Sequence, residues 1–295
     1  MIRRLEEYIP ALEAAAAAMP HPGILAMLWQ HTAGGLPGGL TVYDCGSGVL
    51  LAVRRGAAVL LGRPDAAGRQ ELAAFARFAG IRCLYTGAEV RLAGWKPQPL
   101  ACMSRPVCRF DNTPASFCGH TVWPMTRYFA AAQLVCGDAD EDARNDFYAE
   151  LCSRRNRGIG QVLAIGSTDA PEGCIVCSGP VPCAQAVSSP KAGRRGKLSR
   201  LLAALQTALR RQQPADRPDT PAELLPTIHL SDLFVAPDKR GGKRAAALLC
   251  AAQQGFSLPP EARQLTLYCA PELIPFYEKH GFAVCARLCR WQAAE

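Results

Sequence analysis

Residues Leu233 to Ala247 read L-F-V-A-P-D-K-R-G-G-K-R-A-A-A. A short apolar strand runs into an Arg-Gly-Gly turn and then directly into an alanine-rich helix. The first N–H groups of a helix have no partner inside it, and they sit at the positive end of its dipole. A strand that feeds a glycine turn and a helix N-terminus is therefore a prepared anion site. About thirty residues later comes F-Y-E-K-H-G-F, Phe276 to Phe282. These two segments decide how the rest of the chain is read.

The chain has 295 residues, 49% of them hydrophobic, with a mean hydropathy of +0.02. That is enough to build a sizeable core in one large or two ordinary domains. No run approaches the roughly 20 apolar residues that span a bilayer, so no transmembrane segment is expected. The start, M-I-R-R-L-E-E, puts acids behind the basic pair and has no apolar stretch after them, which is unlike a secretory leader. A cytoplasmic location is the expectation. The fourteen cysteines then read as reduced thiols packed as small hydrophobes. The one tight pair, Cys174-Ile-Val-Cys177, lies in a strand-like run where positions i and i+3 face opposite sides, so no metal is expected.

The net charge is +8, and between Ala186 and Ala222 eight basic residues face two acids, so this segment carries most of it. Leu198, Leu201, Leu202, Leu205 and Leu209 recur there at helical spacing, which predicts a basic amphipathic helix over about 190–213. Its leucines can pack on the protein while its charges stay solvated, or it can meet an acidic partner or a membrane surface. No aromatic residues are interleaved, so nucleic acid is not the expected partner.

Outward from the quoted stretch, strands are expected at Ile228–Val235 and Gln264–Cys269. Helices are expected at Gly241–Gln254 and Glu272–His280, with a final strand or hairpin at Phe282–Trp291. Upstream, Asp138–Arg154 reads as a helix, with strands at Gln161–Ile165 and Cys174–Cys177. The N-terminal half opens with a predicted helix from Arg3 to Ala18. Strands follow at Leu40–Tyr43, Val49–Arg54 and Ala58–Leu61, then a helix from Ala66 to Ala79 and strands at Ile81–Tyr85 and Ala101–Pro106. Val107–Gly119, with its Asp, Asn, Pro and Gly, reads as a linker. Alternating strands and helices argue for a layered α/β or α+β fold. The expected division is 1–106, a linker at 107–119, and 120–295 with the basic helical insertion at about 186–226.

In its context Val235-x-Pro237-x-x-Arg240-Gly241, followed by Leu248-Leu249, resembles the acetyl-CoA-binding motif of the GNAT family of N-acetyltransferases. Leu265 to Phe282, with its Phe-Tyr-Glu-Lys-x-Gly-Phe core, is similar to that family's downstream strand–helix motif. The clear resemblance covers about 65 residues and extends more weakly back to about His120. It implies a GNAT-like mixed, mostly antiparallel central sheet flanked by helices. The N-terminal half would be a diverged partner domain in tandem with it.

The resemblance also implies a reaction: transfer of an acetyl group from acetyl-CoA to a primary amine of a small molecule or peptide, by direct attack on the thioester. Leu233, Phe234 and Val235 would offer backbone groups to the pantetheine arm. Arg240, Gly241, Gly242, Lys243, Arg244 and Ala245 would hold the pyrophosphate. Tyr277 would protonate the leaving thiolate. Asp232 stands where relatives often carry an acid and is the candidate base, with a structural hydrogen bond as its other reading. His229 and Ser231 share one strand face and Asp232 takes the other.

One position departs from the family's turn: Lys243 stands where glycine is usual. A non-catalytic acyl-CoA-binding or regulatory module, or an adaptor working through the basic helix, is the alternative. The acceptor and the oligomeric state are open at this level.

Overall fold

A computed structural model of the chain describes residues 2–6, 11, 40–54, 56–109, 116–137, 141–184 and 224–293. The basic amphipathic helix expected at 190–213, and most of the helix expected from Arg3 to Ala18, lie outside these residues.

The N-terminal half contributes β1 (Arg3–Leu5), β2 (Thr41–Asp44), β3 (Leu50–Arg54), β4 (Ala57–Leu61), α1 (Ala66–Phe78), β5 (Cys83–Gly87) and β6 (Trp95–Pro106). The rest contributes β7 (Ser116–Phe117), β8 (His120–Thr121), β9 (Trp123–Pro124), α2 (Tyr128–Cys136), α3 (Glu141–Asn156), β10 (Gly160–Gly166), β11 (Pro171–Ala184) and β12 (Leu224–Val235). It ends with α4 (Arg244–Gln253), β13 (Gln264–Cys269), α5 (Ile274–Lys279) and β14 (Ala283–Ala293).

Twelve strands form one sheet in the order β1-β2-β3-β4-β5-β14-β6-β13-β12-β11-β10-β9, and β7 pairs only with β8. Among the described residues two neighbouring pairs are parallel, β4 with β5 and β12 with β13, and the others are antiparallel. Each parallel pair needs a crossover, supplied by α1 and α4 respectively. The two halves exchange their last strands. β14, at the end of the chain, pairs with β5, while β6 pairs with β13, and β6 and β14 pair with each other over Trp95–Ser104 and Ala283–Ala293.

Alternation along the strands sends side chains to two layers. One face carries α4 and α5 over a core that includes Leu163, Ile175, Leu230, Leu248 and Leu267, and α1 over Leu51, Leu60 and Trp291. The other face carries α2 and α3 over Val162, Ala164 and Val176, and continues past Cys102 and Leu288 to Val42 and Leu61. α4 is rich in alanine, the best helix former. It buries Leu248 and Leu249 completely against the sheet, and it stops at Gly255, whose φ of +70° closes a helix at little cost.

Three expectations differ from the structure. Arg3–Leu5 is a strand, not the start of a helix, because it pairs with β2 from Arg3 opposite Asp44 to Leu5 opposite Val42 and tucks Leu5 into the core. β6 begins six residues earlier than its sequence suggests. Pro97 and Pro99 argue against a strand, yet both fit here, with residues 96–99 exposed. The helix α2, over Tyr128–Cys136, was not expected at all; it lacks a side-chain cap, and its residues read as a generally apolar run with no clear stripe.

Candidate active site

β12 and β13 run side by side from Thr227 opposite Gln264 to Leu230 opposite Leu267, and then part. β12 continues to Val235, held on its other edge by β11, with Phe234 opposite Cys174 and Val235 opposite Gly173. β13 continues to Cys269, held on its other edge by β6. Between them the facing edges of two strands lie open, with backbone N–H and C=O groups that a ligand's amides can pair.

The cause of the parting is local. β12 bulges where Val176 faces Ser231 and Cys174 faces Phe234, which leaves one extra residue on β12. Asp232 absorbs it with a φ of +50°, a left-handed conformation that short polar side chains tolerate better than most. The bulge overturns the simple alternation expected for this strand. Ser231 and Phe234, three residues apart, face one side, while Leu233 turns to the core under α4.

The quoted turn follows. Pro237–Lys239 make one 3₁₀ turn, and Arg240 donates from Nε to the Val235 carbonyl at 3.3 Å. Gly241 takes a φ of +83° and Lys243 one of +61°. Lys243 therefore adopts the left-handed geometry that a glycine would take without penalty. Lys243 is also the N-cap of α4 and makes no side-chain capping bond. The first bond into α4 runs from the Ala247 N–H to the Lys243 carbonyl at 2.9 Å, so the N–H groups of Arg244, Ala245 and Ala246 come before it.

Two residues outside the motif hold this turn. His120 meets the Gly242 carbonyl through Nε2 at 2.5 Å, and Glu172 accepts from Arg244 Nε at 2.6 Å. Arg244 also donates to the Lys239 carbonyl at 3.1 Å, so its guanidinium braces the turn from within. Neither His120 nor Glu172 carries a sequence signal that ties it to the motif; only folding brings them there.

Tyr277 lies on α5, the helix that follows β13. It is 8% exposed, packed edge-on against Phe276 and Phe282 at centroid distances of 5.1 and 5.9 Å. Burial, with Cys269 adding, pushes its phenol up to about 12, so it stays protonated throughout the physiological range. Asp232 is exposed on the opposite strand, and the protein mass around it raises its carboxyl above the ordinary value. Glu150 raises it further, while Ser231 and Arg154 oppose the rise. Because the group keeps a solvent-facing side, the rise is less than full burial would give.

Beneath Asp232 a buried polar row crosses the sheet: Ser178 opposite His229, His229 opposite Thr266, and Thr266 opposite Ser104. His229 Nδ1 lies 3.3 Å from the Thr266 hydroxyl, and its ring lies 4.7 Å from that of Tyr268. Burial, with the Arg154 charge, lowers His229 to about 3, so it is neutral and a very weak base. α3 closes this row from above. Arg154 donates to Ser178 Oγ at 2.8 Å and pairs with Glu150, whose carboxylate also lies 3.7 Å from Arg54 of β3. The sequence reading missed this cluster. Its signal was Arg154, placed at helical spacing on the stripe of Phe147 and Leu151.

The tight cysteine pair and the histidine of the downstream motif take plain structural places. Cys174 and Cys177 lie on opposite faces of β11, and burial pushes each thiol up to about 12. His280 is half-buried beside Phe276, at 4.9 Å.

Residues 220–290 match the family model described as an acetyltransferase (GNAT) domain. No curated protein matches the chain. Several solved structures share its fold along nearly the whole length. A tandem GNAT protein from the clavulanic acid biosynthesis pathway is 14% identical, with a TM-score of 0.51, covering 100% of this chain and 99% of its own. A GCN5-related N-acetyltransferase from Kribbella flavida is 13% identical, with a TM-score of 0.52, covering 92% and 96%. One from Sphaerobacter thermophilus is 14% identical, with a TM-score of 0.50, covering 100% and 96%. The chain has the fold of two GNAT domains in tandem, a mixed layered architecture with a mostly antiparallel sheet. Among its described residues no helix is long and apolar enough to cross a membrane.

Proposed function

We propose that this tandem GNAT chain transfers an acetyl group from acetyl-CoA to a primary amine, at the opening between β12 and β13. The observation that carries the reading is the parting of these strands after Leu230 and Leu267, next to a helix N-terminus that no side chain caps. The residues there fit coenzyme A. Its pyrophosphate is an anion for the N–H groups at the start of α4, from Gly241 to Ala245, with the cations of Arg240 and Lys243 beside them. Its pantetheine arm is a chain of amides for the open edge of Leu233, Phe234 and Val235.

Acetyl transfer to an amine asks the protein for a base and an acid. An amine is protonated at neutral pH, and Asp232 takes that proton at its carboxylate. A raised carboxyl is a stronger base than an ordinary one, whereas neutral His229 is too weak to compete. Tyr277 then delivers its phenolic proton to the departing thiolate. A buried phenol held at about 12 still carries that proton at any working pH. The acceptor is a small-molecule or peptide amine.

In this reading the reactive half starts near residue 120 and the N-terminal half ends near 106. Isothermal titration with acetyl-CoA, followed by free-thiol detection over a panel of amines, tests it. Binding with thiol release supports the reading. Absence of binding defeats it, and binding without thiol release on any amine leaves a non-catalytic acyl-CoA module in its place.

A further inference from the structure

Where the exchanged strands meet, β14 carries a bulge of its own. Val284 faces Met103 and Ala286 faces Cys102, so Cys285 is the extra residue between them. An unpaired bulge residue can turn its side chain across the ladder. Here Cys285 Sγ sits 3.4 Å from Cys102 Sγ and donates to the Cys102 carbonyl at 3.3 Å. The two cysteines are 183 residues apart in sequence. One belongs to the last strand of the N-terminal half, the other to the last strand of the chain.

We propose that Cys102 and Cys285 are an oxidation site: a cross-strand dithiol that a hydroperoxide converts to a disulfide, fastening the two exchanged strands together. The reaction needs little movement, because the sulfurs must close by only about 1.4 Å to reach bonding distance. The adjacent strands already hold the backbones side by side.

The chemistry has an order. Cys285 is partly accessible and Cys102 is fully buried, so an oxidant reaches Cys285 first. The Cys102 hydrogen bond, and then Ser104 and the backbone groups of Cys285 and Ala286, hold the Cys285 thiol below its ordinary value against an opposing effect of burial. Among the described cysteines whose thiols are displaced, Cys285 is lowered, while Cys45, Cys174, Cys177, Cys250, Cys269 and Cys289 are raised. Thiolate is the reactive form, so the site is selective as well as close.

The Cys285 thiolate attacks one peroxide oxygen. An S–O bond forms, the O–O bond breaks, and the other oxygen leaves as water or alcohol after taking a proton from solvent. Cys102 then loses its proton, its sulfur attacks the sulfenic sulfur, and the S–O bond breaks with release of water. The two sulfurs together give up two electrons, and the peroxide accepts them.

The location gives the bond a consequence. Cys102 lies opposite Tyr268 of β13 on its other side, so the disulfide would brace the strand that borders the proposed site. It would also close the seam on which the two halves depend, and tether them in the unfolded chain.

The test uses the full chain treated with limiting hydrogen peroxide, then thiol blocking, intact mass and peptide mapping. The expected result is a loss of two hydrogens, one peptide linking Cys102 to Cys285, and a higher melting midpoint that a dithiol reductant reverses. With Cys102→Ser the link vanishes and Cys285 accumulates as a sulfenic acid that dimedone traps. If that variant does not fold, the map of the unaltered protein decides alone. Wild-type Cys102 and Cys285 that both remain alkylatable while other thiols oxidise, or a Cys285 that proceeds to sulfinic acid without linking, would overturn the proposal.

Discussion

The described residues contain two strand–helix–strand crossings of the same topology, β4–α1–β5 and β12–α4–β13, and each joins a parallel pair of strands. They differ at three points. β4 pairs with β3 in unbroken register from Arg54 opposite Ala57 to Leu50 opposite Leu61, whereas β12 is bulged at Asp232. α1 is capped by the Asp65 carboxylate, which accepts from the Gly68 N–H at 2.7 Å, whereas α4 is left uncapped behind Lys243. After β5 the chain turns through 88–94 straight into β6, whereas β13 is followed by α5 and Tyr277. The N-terminal crossing thus covers the start of its own helix with an aspartate, and the strand before that helix carries no bulge. In the proposed reading the cap, the bulge and the following helix together separate a closed crossing from one open to a phosphate.

The widest separation between the halves should appear in turnover. Tyr277→Phe and Asp232→Asn are each expected to lower kcat by about 100-fold, the low end for general acid–base catalysis, with little change in acetyl-CoA affinity. The wild-type rate should fall as pH drops through the raised Asp232 value, because the carboxylate must be ionised to act, and D232N should lose that limb of the profile. Steady-state kinetics across pH would check both, and unchanged turnover would remove either residue from its role.

Lys243→Asp makes the second crossing imitate the first. It places a carboxylate at the cap and removes a cation, and should weaken acetyl-CoA by roughly 30-fold, on the order of 2 kcal/mol. Titration calorimetry with unchanged affinity would show that the anion site lies elsewhere.

Asp65→Ala opens the first crossing instead. It should cost about 1 kcal/mol of stability through the lost cap, read from denaturant unfolding. Acetyl-CoA should still bind at one site per chain, because β4 and β5 part after Val59 and Tyr85 for only their last two residues, with no bulge on β4 to splay them. A second site appearing in this variant would mean that the cap alone separates the two halves.

Much of the C-terminal half was legible from local signals. Alanine-rich α4 and the apolar alternation of β13 carry their own periodicity, and β13 was bounded to the residue at Gln264–Cys269. The Arg-Gly-Gly turn located the candidate anion site because backbone donors at a helix start do not depend on side-chain partners. Other parts were not legible. Arg3–Leu5 is a strand only because β2 offers it an edge. Pro97 and Pro99 are tolerated in β6 only where solvent meets them. Arg154 looks like one more surface cation on a polar helix until α3 docks over His229 and Ser178.

The sequence by itself determined the strand–turn–helix of 233–247, the helix bearing Tyr277, and the resemblance these carry, since short-range spacing and backbone chemistry suffice for each. It also exposed Lys243, but not how the chain would accommodate it. Only the tertiary structure decided that Lys243 takes a left-handed turn braced by His120 and Glu172. It alone decided that Asp232 sits on a bulge, and that the two halves close each other's sheets with β6 and β14. Those outcomes depend on which strand edges meet, and edges from distant parts of the chain meet only when the whole sheet is assembled.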